Sequence, residues 1–310
     1  MRLMLIVNTS ASSVTARARV VIQKALSAVH EVTLRETNRR GHAARLAQGA
    51  AADGYDVVAV LAGDGTLNEA ANGLAHSGTA LAVLPGGSTN VFARTIGTAN
   101  DPIEATSQLL GALATGSVSS VSLGQLNGRY FLFHAGIGFD AAVVAQVERL
   151  AFLKRYTGSA LFIVAALSTW ARGYDRHTPA FSLDVDESRS AEASVQEGYF
   201  AICLNTDPYT FLGNHPLRVA PGTSIETPLT IVTFRKLNLT TLLPVVVGAL
   251  GKGNAAQRSK DVSFLRGAQH ATIKGHRPVP YQLDGDYVGE SALIELRWAK
   301  DALRLVLPRQ

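Results

Sequence analysis

Two short stretches of this sequence combine glycines with hydroxyl, amide and carboxylate side chains in a way that suits phosphate chemistry: Ala62-Gly63-Asp64-Gly65-Thr66 and Pro85-Gly86-Gly87-Ser88-Thr89-Asn90. Glycines let a ligand approach the backbone, and the free amides at the start of a helix, with its dipole, favour an anion. Asp64 would repel phosphates unless a divalent cation or a proton lay between, so the first stretch points to a metal-nucleotide site. A tight strand-to-helix turn with Asp64 as turn-former is the alternative. Ser88, Thr89 and Asn90 could offer hydroxyl and amide groups to phosphates, or act as a helix cap. The patterns G-x-x-x-x-G-K-[ST], G-x-G-x-x-G and H-E-x-x-H do not occur.

These loops need elements to position them. The apolar run Val57 to Leu61 precedes the first and a helical pattern over Leu67 to Leu74 follows it, with Thr66 and Glu69 spaced as a capping box. Ala80 to Leu84 and a short helix over Val91 to Ile96 flank the second. Loops from successive parallel strands open on one crevice at the carboxyl edge of a sheet. Further strands are expected at Leu3 to Val7 and Val32 to Arg35, and further helices at 16–29, 41–52 and 101–113. Continuously apolar strands alternating with helices predict an α/β domain, its mostly parallel sheet covered on both faces. From Val121 the pattern changes. Asn127-Gly128 and Asp284-Gly285 each sit between strand-like runs as hairpin turns, Phe181, Leu183 and Val185 alternate, and Leu229 to Phe234 reads as a strand. Ala141 to Trp170 reads as helix interrupted near Thr157-Gly158, and Leu239 to Leu250 as an apolar run broken by Pro244. The expected division is residues 1–121, α/β, and 122–310, mainly antiparallel and β-sandwich-like. The last strand is free to return to the first domain, and the active-site cleft falls between the two.

Composition agrees with two globular domains: 310 residues are 47% hydrophobic and 17% charged, which excludes disorder, collagen-like repeats and disulfide-stapled folds. The single Cys203 lies in Tyr199-Phe-Ala-Ile-Cys-Leu204 and reads as a buried small hydrophobe. The net charge of +5 is scattered, its densest cluster being Arg35, Arg39, Arg40 and Arg45. It suits phosphates, nucleotides or acidic lipid surfaces, and no nucleic-acid partner is expected. Met1 to Val7 reads as a strand rather than a signal peptide, and the apolar runs 160–171 and 237–250 are shorter than a membrane span. A soluble, cytoplasmic chain is expected, with peripheral contact at the inner face of the membrane. A homodimer is compatible with this reading.

The sequence resembles the diacylglycerol kinase catalytic domain family of bacterial and eukaryotic lipid kinases, relatives of the sphingosine and ceramide kinases. The resemblance rests on Gly63-Asp-Gly-Thr-Leu-Asn-Glu-Ala-Ala-Asn-Gly73, Leu84-Pro-Gly-Gly-Ser-Thr-Asn-Val-Phe-Ala-Arg94, Gly136-Ile-Gly-Phe-Asp-Ala141 and Leu283-Asp-Gly-Asp286. Weaker matches are Asn8-Thr9-Ser10, Thr37 with Gly41-His42-Ala43, and Val219-Ala220-Pro221. It implies an ATP-dependent lipid kinase that uses Mg²⁺ and transfers the γ-phosphoryl group to a lipid hydroxyl, diacylglycerol first among the acceptors.

The resemblance further implies a nucleotide site at Asn8, Thr37, Gly63, Asp64, Gly65, Thr66, Gly87, Ser88, Thr89 and Asn90. Asp284 would be the general base, Glu69 and Asp286 would lie near metal and phosphates with Asp64 and Asp286 as metal ligands, and Asp140 would face the acceptor. Read from the residues alone, Asp284-Gly285 is a two-residue turn and Asp140 could cap a helix starting near Ala141. This chain departs from the family at Ala62 (usually Gly), Val91 (often Asp) and Asp286 (usually Glu). Gly222 to Thr230 replaces a segment that helps hold a structural Mg²⁺ in some bacterial members, so such a site is not expected here unless Glu226 substitutes. An NAD kinase-like enzyme and a non-catalytic nucleotide-binding regulator are the alternatives.

Overall fold

The apolar runs at the head of the chain form parallel strands because both of their faces can be covered. In a computed structural model, which describes residues 1–149, 168–169, 174–175, 177–185, 196–251 and 255–308, four of them lie side by side. They are β1 (Arg2–Val7), β2 (Glu31–Glu36), β3 (Val57–Ala62) and β4 (Ala80–Pro85), in the order β4-β3-β1-β2. Leu3 pairs with Val57 and Val57 with Ala80, all in parallel register. Every residue of β3 and β4 is buried, whereas the more polar β2 forms the edge.

Five helices connect these strands: α1 (Ala16–Ser27), α2 (His42–Ala52), α3 (Asp64–Leu74), α4 (Val91–Thr95) and α5 (Pro102–Ala114). Thr15 caps α1 by accepting from the Ala18 amide, and Asp101 caps α5 at Ile103 and Glu104 just ahead of Pro102. Ile22 and Leu26 of α1 pack with Leu109 and Leu113 of α5 over the Leu3, Leu5 and Val7 side of the sheet. Ile22 is fully buried there, so truncation to Ala would cost about 2–5 kcal/mol. The chain divides into two units, Met1–Leu123 with Lys300–Gln310, and Gly124–Ala299.

The second unit is antiparallel. It contains β6 (Arg129–Phe131), β7 (His134–Gly138), α6 (Phe139–Arg149), β8 (Phe181–Val185), β9 (Gln196–Gly198), β10 (Phe200–Leu204), β11 (Thr210–Leu212), β12 (His215–Leu217) and β13 (Leu229–Phe234). After these come α7 (Leu239–Ala249), α8 (Ala255–Arg258), β14 (Val262–Ala268) and β15 (His270–Leu283). Two strands run across the division between units: β5 (Val118–Leu126) and β16 (Asp286–Val306). Order within the second unit is β14-β13-β10-β7-β15-β16, with β8 on β15 and β9 on β8. Both expected hairpins form: Leu126 pairs with Arg129 around Asn127-Gly128, and Leu283 with Asp286 around Asp284-Gly285. The strand period of two separates two cores. On β10, Ala201 and Cys203 join one cluster while Phe200, Ile202 and Leu204 join the other. Cys203 is completely buried, which pushes its thiol pKa up.

Two expectations are corrected here. Helix α3 starts at Asp64 rather than Leu67. Helix α7 runs through Pro244 rather than breaking at it. Pro244 and Thr240, whose carbonyl loses a donor, are both exposed, so water satisfies what the proline removes. The helix expected over Ala141 to Trp170 is seen as α6. Most of its remainder, with the interruption at Thr157-Gly158, lies outside the described residues, as do all but two residues of the run 160–171. Among the described residues no helix is long and apolar enough to cross a membrane.

Candidate active site

Because the first four strands are parallel, their carboxyl ends share one edge, and that edge carries the residues that the sequence singled out. Asn8 follows β1, Thr37 follows β2, Gly63 follows β3 and Gly86 follows β4. The backbone ladder holds them in line: the Thr37 amide donates to the Val7 carbonyl (2.9 Å), Asn8 to Leu61 (3.1 Å) and Gly86 to Ala62 (2.8 Å). Asn8, Thr37, Gly63 to Thr66 and Gly87 to Asn90 therefore lie along one rim of a single unit.

The two glycine bends touch. A β-carbon on Gly87 would lie 2.8 Å from the Gly63 Cα, and one on Gly86 would lie 2.7 Å from Val14 Cγ2 and 2.9 Å from the Ala62 amide nitrogen. Glycine at these positions is therefore set by close backbone approach. Gly63 is also the N-cap of α3 and offers no side chain to its first-turn amides. A half-buried helix start whose N-cap glycine offers no side chain has the polarity that suits an anion.

The side chains around the bends mostly hold the rim together. Asp64 accepts from the Val91 amide at Oδ2 (2.9 Å) and from the Phe92 amide at Oδ1 (3.1 Å), so it caps α4 from the neighbouring loop. Asn90, left-handed at φ 51° and buried, accepts from the Gly87 amide (2.8 Å) and donates to the Gly87 carbonyl and Asn100 Oδ1 (2.9 Å each). Ser88 is exposed and Thr89 half-buried. Asn8 Nδ2 donates to Thr66 Oγ1 (2.9 Å). Thr66 and Glu69 do not form a capping box, because the helix has already begun. Glu69 instead accepts from the Gly41 (2.7 Å) and Ala43 (3.2 Å) amides and caps α2. Gly41 takes a left-handed φ of 76° to bring its amide there.

The second unit holds a buried polar cluster around Asp284. The Asp284-Gly285 turn has φ of 50° and 83°, as a two-residue hairpin requires. Asp284 is 6% exposed. Its Oδ2 accepts from the Leu132 amide (2.7 Å) and its Oδ1 from those of Phe133 (2.9 Å) and His134 (3.1 Å). The fully buried Gln282 accepts from the Gly285 amide (2.8 Å) and donates to Asp140 Oδ2 (2.8 Å), while Tyr209 donates its hydroxyl to Asp140 Oδ1 (2.7 Å). The Tyr209 ring lies 4.3 Å from that of His134, which closes the circle.

Burial decides the charges in this cluster. It raises the Asp140 pKa, with the Tyr209 and Gln282 hydrogen bonds opposing it, and it lowers His134 to about 3, so the imidazole is neutral. Tyr209 is pushed well up, by burial and then by Asp140. Asp140 does not cap a helix, since α6 begins before it at Phe139. Sequence reasoning missed Gln282, Tyr209 and His134. The signal available was Gly136, where a β-carbon would collide with Asp140 Oδ2.

Among the described residues no group of three or more His, Cys, Asp or Glu could hold a metal ion. Both oxygens of Asp64 accept backbone amides, and Asp286 opens β16 opposite Leu283. Glu226 lies exposed in a turn where the Ser224 amide donates to Thr227 Oγ1. The described residues thus build no protein cage for a structural Mg²⁺.

The chain thus joins a parallel α/β unit with a glycine rim to an antiparallel strand-rich unit. Residues 2–125 match the sequence profile of the diacylglycerol kinase catalytic domain. A protein of Pseudomonas aeruginosa described as a probable lipid kinase, YegS-like, is 29% identical over 231 residues, covering 68% of this chain and 74% of the relative. A diacylglycerol kinase of Bacillus subtilis is 37% identical over 120 residues, covering 38% and 39%. The crystal structure of a diacylglycerol kinase from Bacillus anthracis superposes with a TM-score of 0.69 at 18% identity, over 99% of this chain and 96% of that one, which establishes the shared fold.

Proposed function

We propose that the chain is an ATP-dependent lipid kinase that phosphorylates the hydroxyl of diacylglycerol. The observation that carries this is the contact of the Gly63 and Gly87 bends beside the uncapped start of α3. Backbone amides of these two loops are suited to spread the charge of a triphosphate, which arrives with Mg²⁺ as part of the substrate. Mg²⁺ bound this way needs few protein oxygens because phosphates and water complete its shell. The acceptor follows from the relatives described as lipid kinase and diacylglycerol kinase.

In the proposed reaction the lipid hydroxyl oxygen attacks the γ-phosphorus in line, the bond to the β-phosphate oxygen breaks, and ADP leaves. Asp284 is assigned to the acceptor hydroxyl. It orients that hydroxyl and takes up its proton late, as the bond to phosphorus forms, which a loose transfer allows. Asp140, Tyr209 and Gln282 then act as positioning residues that fix the turn bearing Asp284.

The test is γ-labelled ATP with Mg²⁺ and a panel of diacylglycerol, ceramide and sphingosine in mixed micelles, with NAD as a water-soluble acceptor. Label in the organic phase with diacylglycerol is expected. Label on NAD alone would replace this reading with an NAD kinase, and ATP binding with no acceptor labelled would make the chain a non-catalytic nucleotide binder.

A further inference from the structure

Helix α7 is amphipathic in an unusual sense, because its outer face is more apolar than its inner one. Leu239, Leu243, Val246, Val247 and Leu250 are between 44% and 62% exposed. At about 100° per residue these five fall within one arc of about 100°. The opposite side carries Thr241, Val245 and Ala249, which are buried against the unit. Of all the large hydrophobic side chains found exposed among the described residues, five of eleven lie on or immediately after this one helix. A contiguous apolar stripe of this kind marks a docking surface.

The charge around the stripe selects what docks there. From Arg235 to Lys260 the sequence contains Arg235, Lys236, Lys252, Arg258 and Lys260 and no acidic residue. Arg235, Lys236, Arg258 and Lys260 are exposed on the segments that enter α7 and follow it. Asp261, next in sequence, is tied to Lys236 Nζ (2.9 Å) and to the Thr241 hydroxyl (3.1 Å). Arg218 is held at the far end, its amide donating to the Ala249 carbonyl (2.8 Å), although its guanidinium is paired with Asp207. A second copy of the chain would set this cationic border against itself. An anionic bilayer would neutralise it and accept the leucines and valines at the headgroup boundary.

We infer that the α7 stripe, with its basic border, seats the protein on an anionic membrane surface. The inference deepens the proposed function by naming the surface that meets the lipid phase, and it rests on that reading for its purpose. Its test does not, because vesicle binding requires no turnover.

Flotation with vesicles of phosphatidylcholine, alone or mixed with phosphatidylglycerol, compares wild type with Leu243→Ser/Val247→Ser and with Arg235→Gln/Lys260→Gln. All four side chains are exposed, and a thermal melt verifies that each variant folds. Wild type is expected to float with the anionic vesicles and not with the neutral ones, more weakly at high salt. Each double variant is expected to lose roughly tenfold or more in partitioning. Turnover on a short-chain diacylglycerol dissolved as monomer is expected to stay unchanged, and if no variant or wild type turns over, the kinase reading fails while the flotation result stands. Equal flotation of wild type and Leu243→Ser/Val247→Ser, or no flotation of wild type, would overturn the inference. A wild-type dimer that this variant converts to monomer would assign the stripe to a second copy and overturn it as well.

Discussion

Gly63 and Gly87 face each other across adjacent loops so closely that a β-carbon on Gly87 would lie 2.8 Å from the Gly63 Cα. The obstructing atom is backbone and cannot rotate away, so Gly87→Ala must part the two loops. We expect a loss of about 1–3 kcal/mol by thermal or urea unfolding. Gly111, exposed within α5 where an added β-carbon would meet nothing within 4 Å, is the control. There, alanine should stabilise by about 0.4–1 kcal/mol. Equal effects at the two sites would show that the loops are not in contact.

Asp64 should matter to the fold of the rim as well as to any ligand. Asparagine at 64 keeps one acceptor but turns an amide group toward the second of the two N–H groups of Val91 and Phe92. Asp64→Asn is expected to cost about 1–2 kcal/mol and to speed hydrogen exchange at Val91 and Phe92 selectively. Unchanged exchange at both amides would mean that the carboxylate does not cap α4.

The same reasoning makes Asp284→Asn a stability variant before it is a catalytic one. Three amides converge on this carboxylate at 2.7 to 3.1 Å, and Asn would leave at least one of them facing a donor. A loss of about 1–3 kcal/mol in equilibrium unfolding is expected. Wild-type stability in this variant would contradict the described geometry, and activity data on Asp284 variants should be compared at equal folded fraction.

Acid sensitivity should trace in part to His134. Its folded pKa of about 3 lies below the unfolded value of 6.5, so between these values the unfolded chain binds a proton that the native chain refuses. The contribution is fully present above pH 6.5 and declines as pH falls toward 3, by about 1.4 kcal/mol per pH unit. Asp140 works in the opposite sense. Its raised pKa means that the native state holds the proton longer, so this contribution weakens as pH rises through the carboxylate range. His134→Phe, which keeps a ring against Phe133 and Tyr209, should flatten the acid limb of stability against pH. An unchanged limb would assign it to other groups.

What the sequence disclosed was local. The buried strands β3 and β4 announce themselves as unbroken apolar runs, and Asn127-Gly128 and Asp284-Gly285 mark their hairpins within four residues. The two glycine bends were legible for the same reason, and strand order then placed them side by side. Pairings between distant residues were not. Glu69 caps a helix 28 residues earlier in sequence, and Gln282 meets Asp140 across 142. Spacing suggested Thr66 as the partner of Glu69 because a window of four residues cannot see α2. Nor can a sequence window show that Pro244 is exposed, the tertiary fact that lets α7 run through it.

The most direct measurement is transfer of γ-labelled phosphate from Mg-ATP to diacylglycerol in mixed micelles, by wild type and by Gly87→Ala at equal folded fraction. Labelled phosphatidic acid from wild type, reduced at least about tenfold in the variant, is the expected result, since parting the bends displaces the amides that would hold the triphosphate. Equal labelling by both proteins, or none from wild type, would contradict the account.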